Sequence, residues 1–393
     1  MATIESYTTK AGKRYQVRYR TPDHKQTKRR GFTTKRDASA FAATVEVSKL
    51  RGEYVSPADA RATVGELGPS WLDRQRGHLK PSAYRPLEVA WRLRVEPRWG
   101  EVKLSDIRPT EVQAWVTQLG LDVTDNSGKV TTKGLGATVI IRTFGVLASI
   151  LDDAVRDRLI VANPARGVTK GKGTKLPRKT RKRNVYLTHE QIDTLANAAA
   201  PYSALVFVLA YCGLRWGEAT GLRVRDLDLL RRRATVDENA VAVGSEIIVG
   251  TTKGHKRRTV PLAAFLVPLL ARQCENKGRD SLVFPGPDGN HLPRPHNVSG
   301  WFDKAVAAAG VPRVTPHDLR HSAASLAVRS GANVKAIQRM LGHASAAMTL
   351  DVYADLFDDD LDAVAVALDE ARTASVPNLC PPSAHRVPTA SRR

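Results

Sequence analysis

Cysteine is scarce in this chain: Cys212, Cys274 and Cys380 are the three among 393 residues. They are too few and too scattered for a disulfide framework or a zinc site. Long apolar runs are missing too, and none reaches the roughly 18–20 residues that a bilayer-spanning helix needs. The N-terminus, MATIESYTTKAGKRYQ, carries no apolar signal segment. These absences argue against a disulfide-stapled secreted domain and a helix-spanning membrane protein, and a reducing cytoplasm is the expected setting. Acidic residues are also in short supply: 39 Asp and Glu face 61 Lys and Arg, a formal charge of +22. Such an excess favours a polyanionic partner, meaning nucleic acid or, less often, an anionic membrane surface.

A chain of this length predicts two or three domains, and the patterning supports a multidomain α+β architecture. Residues 1–62 hold 14 Lys and Arg against 6 Asp and Glu, a net +8 (14 − 6). Alternation predicts strands over Thr3–Thr8, Tyr15–Arg20 and Thr27–Phe32, followed by a helix after Thr34. Tyr15, Tyr19, Arg18, Arg20, Lys28, Arg29 and Arg30 are interleaved as in a sheet inserted in a DNA groove; the plainer alternative is a solvated charged face. Residues 63–165 read as four helices, the second over Tyr84–Trp99, with a loop at 121–134 and a long last helix from Ala137 to Leu159. Trp71, Trp91, Trp99 and Trp115 read as core there, and Arg85, Arg92, Arg94 and Arg142 as phosphate contacts. Residues 166–186 are a basic linker, expected to be extended and to track a DNA backbone. A mixed, mainly helical domain follows over 187–357, with β segments expected around 233–242, 246–250 and 257–262 and a helix at about 346–356. Its first helix opens on Thr188 with Gln191 three residues on, a capping pair. An acidic helix at Leu361–Ala371 and a disordered tail fill 358–393.

The chemistry sits in the mixed domain. Displacing an alkoxide from a phosphodiester builds negative charge on the non-bridging oxygens, which metal ions or fixed guanidinium groups must neutralise. The acids of the last third fall mostly between Asp351 and Glu370 and form no cluster resembling a two-metal site. Arginines are therefore the candidates, since their forked donors match phosphate oxygens. Arg215 lies in GLRWGE, with Glu218 placed to hold it or to cap the next helix. Lys253 lies in TTKGHKR, a polar turn between β segments. His317 and Arg320 lie in HDLRH, three residues apart and so on one helical face. His343 follows in LGHAS, and Tyr353 stands ten residues later in LDVYADL. Taken singly, each reads as a surface or packing residue; the ordered set is what stands out.

That set resembles the tyrosine recombinase (phage integrase) family, whose pattern is arginine, β-hairpin lysine, HxxR, histidine or tryptophan, then tyrosine. Arg215, Lys253, His317, Arg320, His343 and Tyr353 match it without a gap, and Glu218 matches the acid usual three residues past the first arginine. The resemblance is specific over about 187–357. It extends more loosely to 63–165 as a core-site-binding helical domain and to 1–62 as an arm-type DNA-binding domain. It implies that Tyr353 is the nucleophile, attacking DNA to give a 3′-phosphotyrosyl bond. Arg215 and Arg320 then clamp the phosphate, His317 serves as base, Lys253 as general acid, His343 as a phosphate hydrogen-bond donor, and His321 as support. It implies no cofactor and no metal. The implied partners are double-stranded attachment sites, a homotetramer exchanging strands through a Holliday junction, and DNA-bending and directionality proteins, in a bacterial host cytoplasm. The acidic C-terminal helix would pack on its own domain or dock on a neighbouring protomer. The rival readings are a type IB topoisomerase-like relaxing enzyme and a DNA-binding regulator with an inactive recombinase fold.

Overall fold

In the computed structural model of the chain, alternation in the first 32 residues becomes a three-stranded antiparallel sheet of β1 (Thr3–Thr9), β2 (Gly12–Arg20) and β3 (Gln26–Phe32), in that order. The structure describes residues 2–375 except 23, 53, 57–60, 126, 167–172, 180–183, 245, 252–256, 296–298, 344, 346, 348, 349 and 351–360. Two units divide the chain, 1–182 and 183–393. In the first, Thr34 caps α1 (Lys35–Leu50) by accepting from the Asp37 N–H at 3.1 Å. Helix α1 covers one sheet face, burying Val17 and Tyr19 against Ala38 and Val45. Gln16 lies between Glu5 and Arg30 in register. Its amide donates to Glu5 at 2.7 Å and accepts from Arg30 at 3.0 Å.

A second core in this unit is built by α2 (Val64–His78), α3 (Pro81–Ala90), a π turn (Trp91–Val95), α4 (Glu96–Trp99), α5 (Pro109–Gln118) and α6 (Ala137–Arg156). Thr63 and Glu66 form a capping box that starts α2. All four tryptophans expected in the core are buried, with Trp99 and Trp115 edge to face at 5.8 Å. The apolar stripe of α6, including Ile140, Phe144, Leu147, Ile150 and Leu151, is buried against them. Each such side chain contributes about 1.5–3 kcal/mol.

Two local features differ from expectation. The single helix predicted to end at Trp99 starts at Pro81 and widens at Trp91–Val95, where the Glu96 N–H reaches back five residues to the Trp91 carbonyl. Pro97 follows at once and has no N–H to give the α-helical ladder. The 121–134 segment, expected as loop, contains a small hairpin of β4 (Val123–Thr124) and β5 (Val130–Thr132). Both strands are exposed, so no apolar alternation marks them.

The second unit begins with α7 (His189–Ala198), opened by the Thr188–Gln191 capping box. It continues through α8 (Ser203–Cys212), α9 (Trp216–Thr220), β6 (Leu227–Asp228), β7 (Arg233–Val236), β8 (Glu238–Val243), β9 (Glu246–Thr251) and β10 (Arg258–Pro261). Then come α10 (Leu266–Cys274), α11 (Trp301–Ala309), α12 (Pro316–Arg329), α13 (Val334–Leu341) and α14 (Leu361–Ser375). Helix α8 is apolar on nearly every side and buries Leu205, Val206, Val208, Leu209 and Ala210 between α7 and α12. The predicted strand over 233–242 is two strands in different sheets: β7 pairs with β6 and β10, while β8 pairs with β9. The helix expected at 346–356 falls largely outside the described residues, as do 376–393. Among the described residues, no helix is long and apolar enough to cross a membrane.

The helical core yields a stability prediction. A Cβ on Gly68 would lie 2.0 Å from the Trp91 ring, whereas one on Gly77, in the same helix, meets nothing within 4 Å. Gly68→Ala should destabilise this unit by about 1–3 kcal/mol through overpacking. Gly77→Ala should be neutral or gain about 0.5–1 kcal/mol from helix propensity. Denaturation followed by tryptophan fluorescence measures both; equal effects would show that the Gly68–Trp91 contact is not limiting.

Candidate active site

Helix α8 ends at Gly213, whose φ of +62° is left-handed, and the chain turns at once into α9. Arg215 caps α9 in extended conformation, with φ −71° and ψ 154°. Its backbone N–H donates to Glu218 Oε2 at 2.9 Å, and its guanidinium Nη1 donates to Glu218 Oε1 at 2.8 Å. Glu218 thus performs both tasks the sequence left open, helix cap and guanidinium holder. Its side chain is only 1% exposed while that of Arg215 is 28% exposed, so the fastening is inside and the arginine faces outward.

A second guanidinium, not singled out in the sequence, completes the fastening. Arg258 donates Nη1 to Glu218 Oε1 at 3.0 Å and Nη2 to Oε2 at 2.6 Å. Burial alone would push the Glu218 carboxyl up, but the Arg258 hydrogen bonds and charge, with Arg215, hold it down to about 2. In the sequence, Arg258 is one of two adjacent arginines after a glycine turn and reads as surface charge. Strand alternation was the available signal: Arg258 shares a strand face with Val260, which is fully buried.

Helix α12 supplies the next pair. Thr315 and Asp318 form a capping box, with Pro316 at the first position, and this fixes His317 in the first turn. Arg320 is buried; it donates to the Gly213 carbonyl at 2.5 Å and to the Leu341 carbonyl at 2.7 Å. It therefore ties the turn before Arg215 to the segment before His343. The His317 and His321 rings stand 5.0 Å apart, nearly perpendicular. His343 follows the left-handed Gly342 that ends α13, and its carbonyl accepts from the Gln338 side chain at 3.1 Å.

These histidines share one electrostatic environment. Burial, then His321 and Arg320, push His317 down to about 4. Burial, then Arg320 and Arg215, push His343 down to about 4 as well. His321 is lowered by burial and by Arg320, against Asp318. All three are neutral imidazoles near neutral pH, lowered first by burial and then by neighbouring positive charge that outweighs Asp318 for His317. Arg215, Glu218, His317, Arg320, His321 and His343 are thus brought together. Lys253 and Tyr353 lie outside the described residues. Strands β9 and β10, on either side of residues 252–256 in the sequence, belong to different sheets, β9 pairing with β8 and β10 with β7.

Known proteins resemble the chain along most of its length. The phage integrase family profile matches residues 185–359, the phage integrase N-terminal SAM-like domain 63–120, and the Arm DNA-binding domain 6–49. A putative prophage phiRv2 integrase of Mycobacterium tuberculosis is 30% identical over 86% of this chain and 88% of its own. Among solved structures, the Tn1549 transposon integrase in complex with a circular intermediate DNA aligns at a TM-score of 0.60. That match has 21% identity and covers 74% of this chain and 94% of the other. A lambda integrase tetramer bound to a Holliday junction aligns at 0.56, with 18% identity over 88% and 94%. At these identities the structural likeness speaks to the fold.

The buried carboxylate gives a pH-dependent prediction. Glu218 is depressed from 4.5 to about 2 in the folded chain, so its stabilisation is complete above 4.5 and is lost as pH falls toward 2. Glu218→Gln strands the Arg258 charge and should cost about 3 kcal/mol at neutral pH. Denaturation at a series of pH values should show the gap between the two proteins narrowing as pH drops through this window. A gap that stays constant would mean that the carboxylate is not ionised inside the fold.

Proposed function

This chain belongs to the tyrosine recombinase (phage integrase) family, enzymes of site-specific DNA recombination, and we propose that Tyr353 is its nucleophile within a site made by Arg215, Lys253, His317, Arg320 and His343. The phenolic oxygen attacks the scissile phosphorus, the bond to the 5′-oxygen breaks, and a 3′-phosphotyrosyl bond forms. A phenol has a pKa near 10 and is a poor nucleophile at neutrality. His317, neutral in its pocket, accepts the phenolic proton, and Lys253 donates one to the departing 5′-oxygen. Arg215 offers its forked donors to the non-bridging oxygens, Arg320 adds fixed positive charge, and His343 hydrogen-bonds the phosphate. His321 supports His317.

The convergence of Arg215, Arg320, His317 and His343 carries this reading. An entering phosphodiester anion finds two arginines at full charge and imidazoles that are neutral. The phosphotyrosyl bond conserves the energy of the phosphodiester, so a 5′-hydroxyl from a second duplex can attack it, re-forming DNA and releasing Tyr353. Residues 1–62 bind arm-type sites, 63–165 bind core sites, the 166–186 linker follows the backbone between domains, and 187–357 cut and rejoin. Four protomers exchange strands pairwise through a Holliday junction, a state in which the lambda integrase neighbour has been seen. The element served is a phage or another mobile element. DNA-bending and directionality proteins set the direction, and the C-terminal acidic helix docks on a neighbouring protomer.

Tyr353→Phe should bind attachment-site DNA with unchanged affinity and leave no covalent adduct on a suicide substrate in a denaturing gel. An adduct from this variant would move the nucleophile elsewhere, and a wild-type protein without one would favour the inactive regulator. Relaxation of supercoiled plasmid by a monomer, without a partner site, would favour the topoisomerase-like reading. Arg215→Lys keeps the charge but loses the fork, and should slow cleavage roughly 100-fold. A rate within about threefold of wild type would remove Arg215 from the clamp.

A further inference from the structure

Arg258 stands where three pieces of the site meet. It opens β10, five residues after Lys253 in the sequence. It grips both Glu218 oxygens, and its Nε donates to the Met340 carbonyl at 3.0 Å, in the last turn before His343. Its side chain is 11% exposed and is therefore poorly placed to meet DNA itself. Gly342 lies directly over it: a Cβ there would come within 3.0–3.2 Å of Arg258 Cδ, Nε and Cζ. The residue immediately before His343 therefore rests on this guanidinium.

Charge explains why the site needs a second arginine. Arg215 and Glu218 alone would form a neutral pair, and a phosphate anion would have to compete with Glu218 for the guanidinium. With Arg258 bound to both carboxylate oxygens, the trio carries one net positive charge. Glu218 can then orient Arg215 without cancelling it. A lysine could balance the charge, but it could not reach both oxygens and the Met340 carbonyl in one plane.

We propose that Arg258 is a positioning residue for DNA cleavage, orienting Arg215 through Glu218 and His343 through the Met340–Gly342 turn. It makes no phosphate contact of its own. This role rests on the proposed phosphodiester chemistry of the same site.

The test measures single-turnover adduct formation on a suicide attachment-site substrate at saturating DNA, with DNA affinity and melting temperature measured in parallel on the full chain. Arg258→Met should slow adduct formation roughly 100-fold while Kd stays within about threefold. Arg258→Lys should recover part of the rate, to within about tenfold of wild type, because charge returns without the fork. In the Glu218→Gln background, adding Arg258→Met should cost no more than about tenfold further, since the Arg215 arm is already disabled and only the Met340 arm remains to be lost. A wild-type rate in either Arg258 variant overturns the proposal, as do losses that multiply in the double variant. If Arg258→Met does not fold, the lysine variant decides alone: a slowed rate with unchanged Kd supports the role, and a wild-type rate ends it. Adduct formation by Tyr353→Phe marks failure of the underlying chemistry, whereas an active wild type with indifferent Arg258 variants marks failure of this inference.

Discussion

One carboxylate organises the second unit. Glu218 is buried, ionised and shared by Arg215 and Arg258, and it caps α9 through the Arg215 backbone. Removing a carboxylate from water is costly unless its oxygens are met by well-placed donors. Here four donors meet them: the Arg215 N–H, one Arg215 guanidinium nitrogen and two from Arg258. That saturation makes the arrangement stiff. It fixes Arg215 at the junction of α8 and α9, and through Arg258 it reaches β10 and the end of α13.

Arg320 works in parallel from α12. Its bonds to the Gly213 and Leu341 carbonyls join the segment leading into Arg215 with the one leading into His343. The buried Arg320 and the partly buried Arg258 thus hold the backbone around a third arginine that faces outward. Burial, with the charge of Arg320 added to it, is what keeps His317 and His343 neutral. A pocket of that kind suits an anion whose charge grows as it reacts. Donors already fixed by the fold need not reorganise as charge develops, which is what a preorganised site provides.

Much of this was legible in the sequence, and the parts that were not share a cause. The α6 stripe, the capping box before α7 and the arginine–HxxR–LGH order are local or periodic signals, and each appears in the structure where the pattern put it. The π turn at Trp91–Val95 was hidden because helical periodicity is blind to one extra residue per turn. The β4–β5 hairpin was hidden because both faces are exposed. Arg258 was hidden because its partners, Glu218 and Met340, are 40 and 82 residues away. A buried arginine is recognisable only when the carboxylate and carbonyl that accept from it are known. The break of the 233–242 segment into strands of two sheets was equally non-local.

The proposed chemistry requires that a phenolic oxygen be delivered to a phosphate held by the arginine and histidine pocket. Mapping the attached nucleotide tests this most directly. Trypsin cutting after Arg339 and Arg372 releases the peptide Met340–Arg372, in which Tyr353 is the one tyrosine. After reaction with a suicide substrate and nuclease trimming, mass spectrometry should find a 3′-linked nucleotide on that peptide, at Tyr353. A nucleotide on any other residue, or a 5′ linkage, would contradict the assignment.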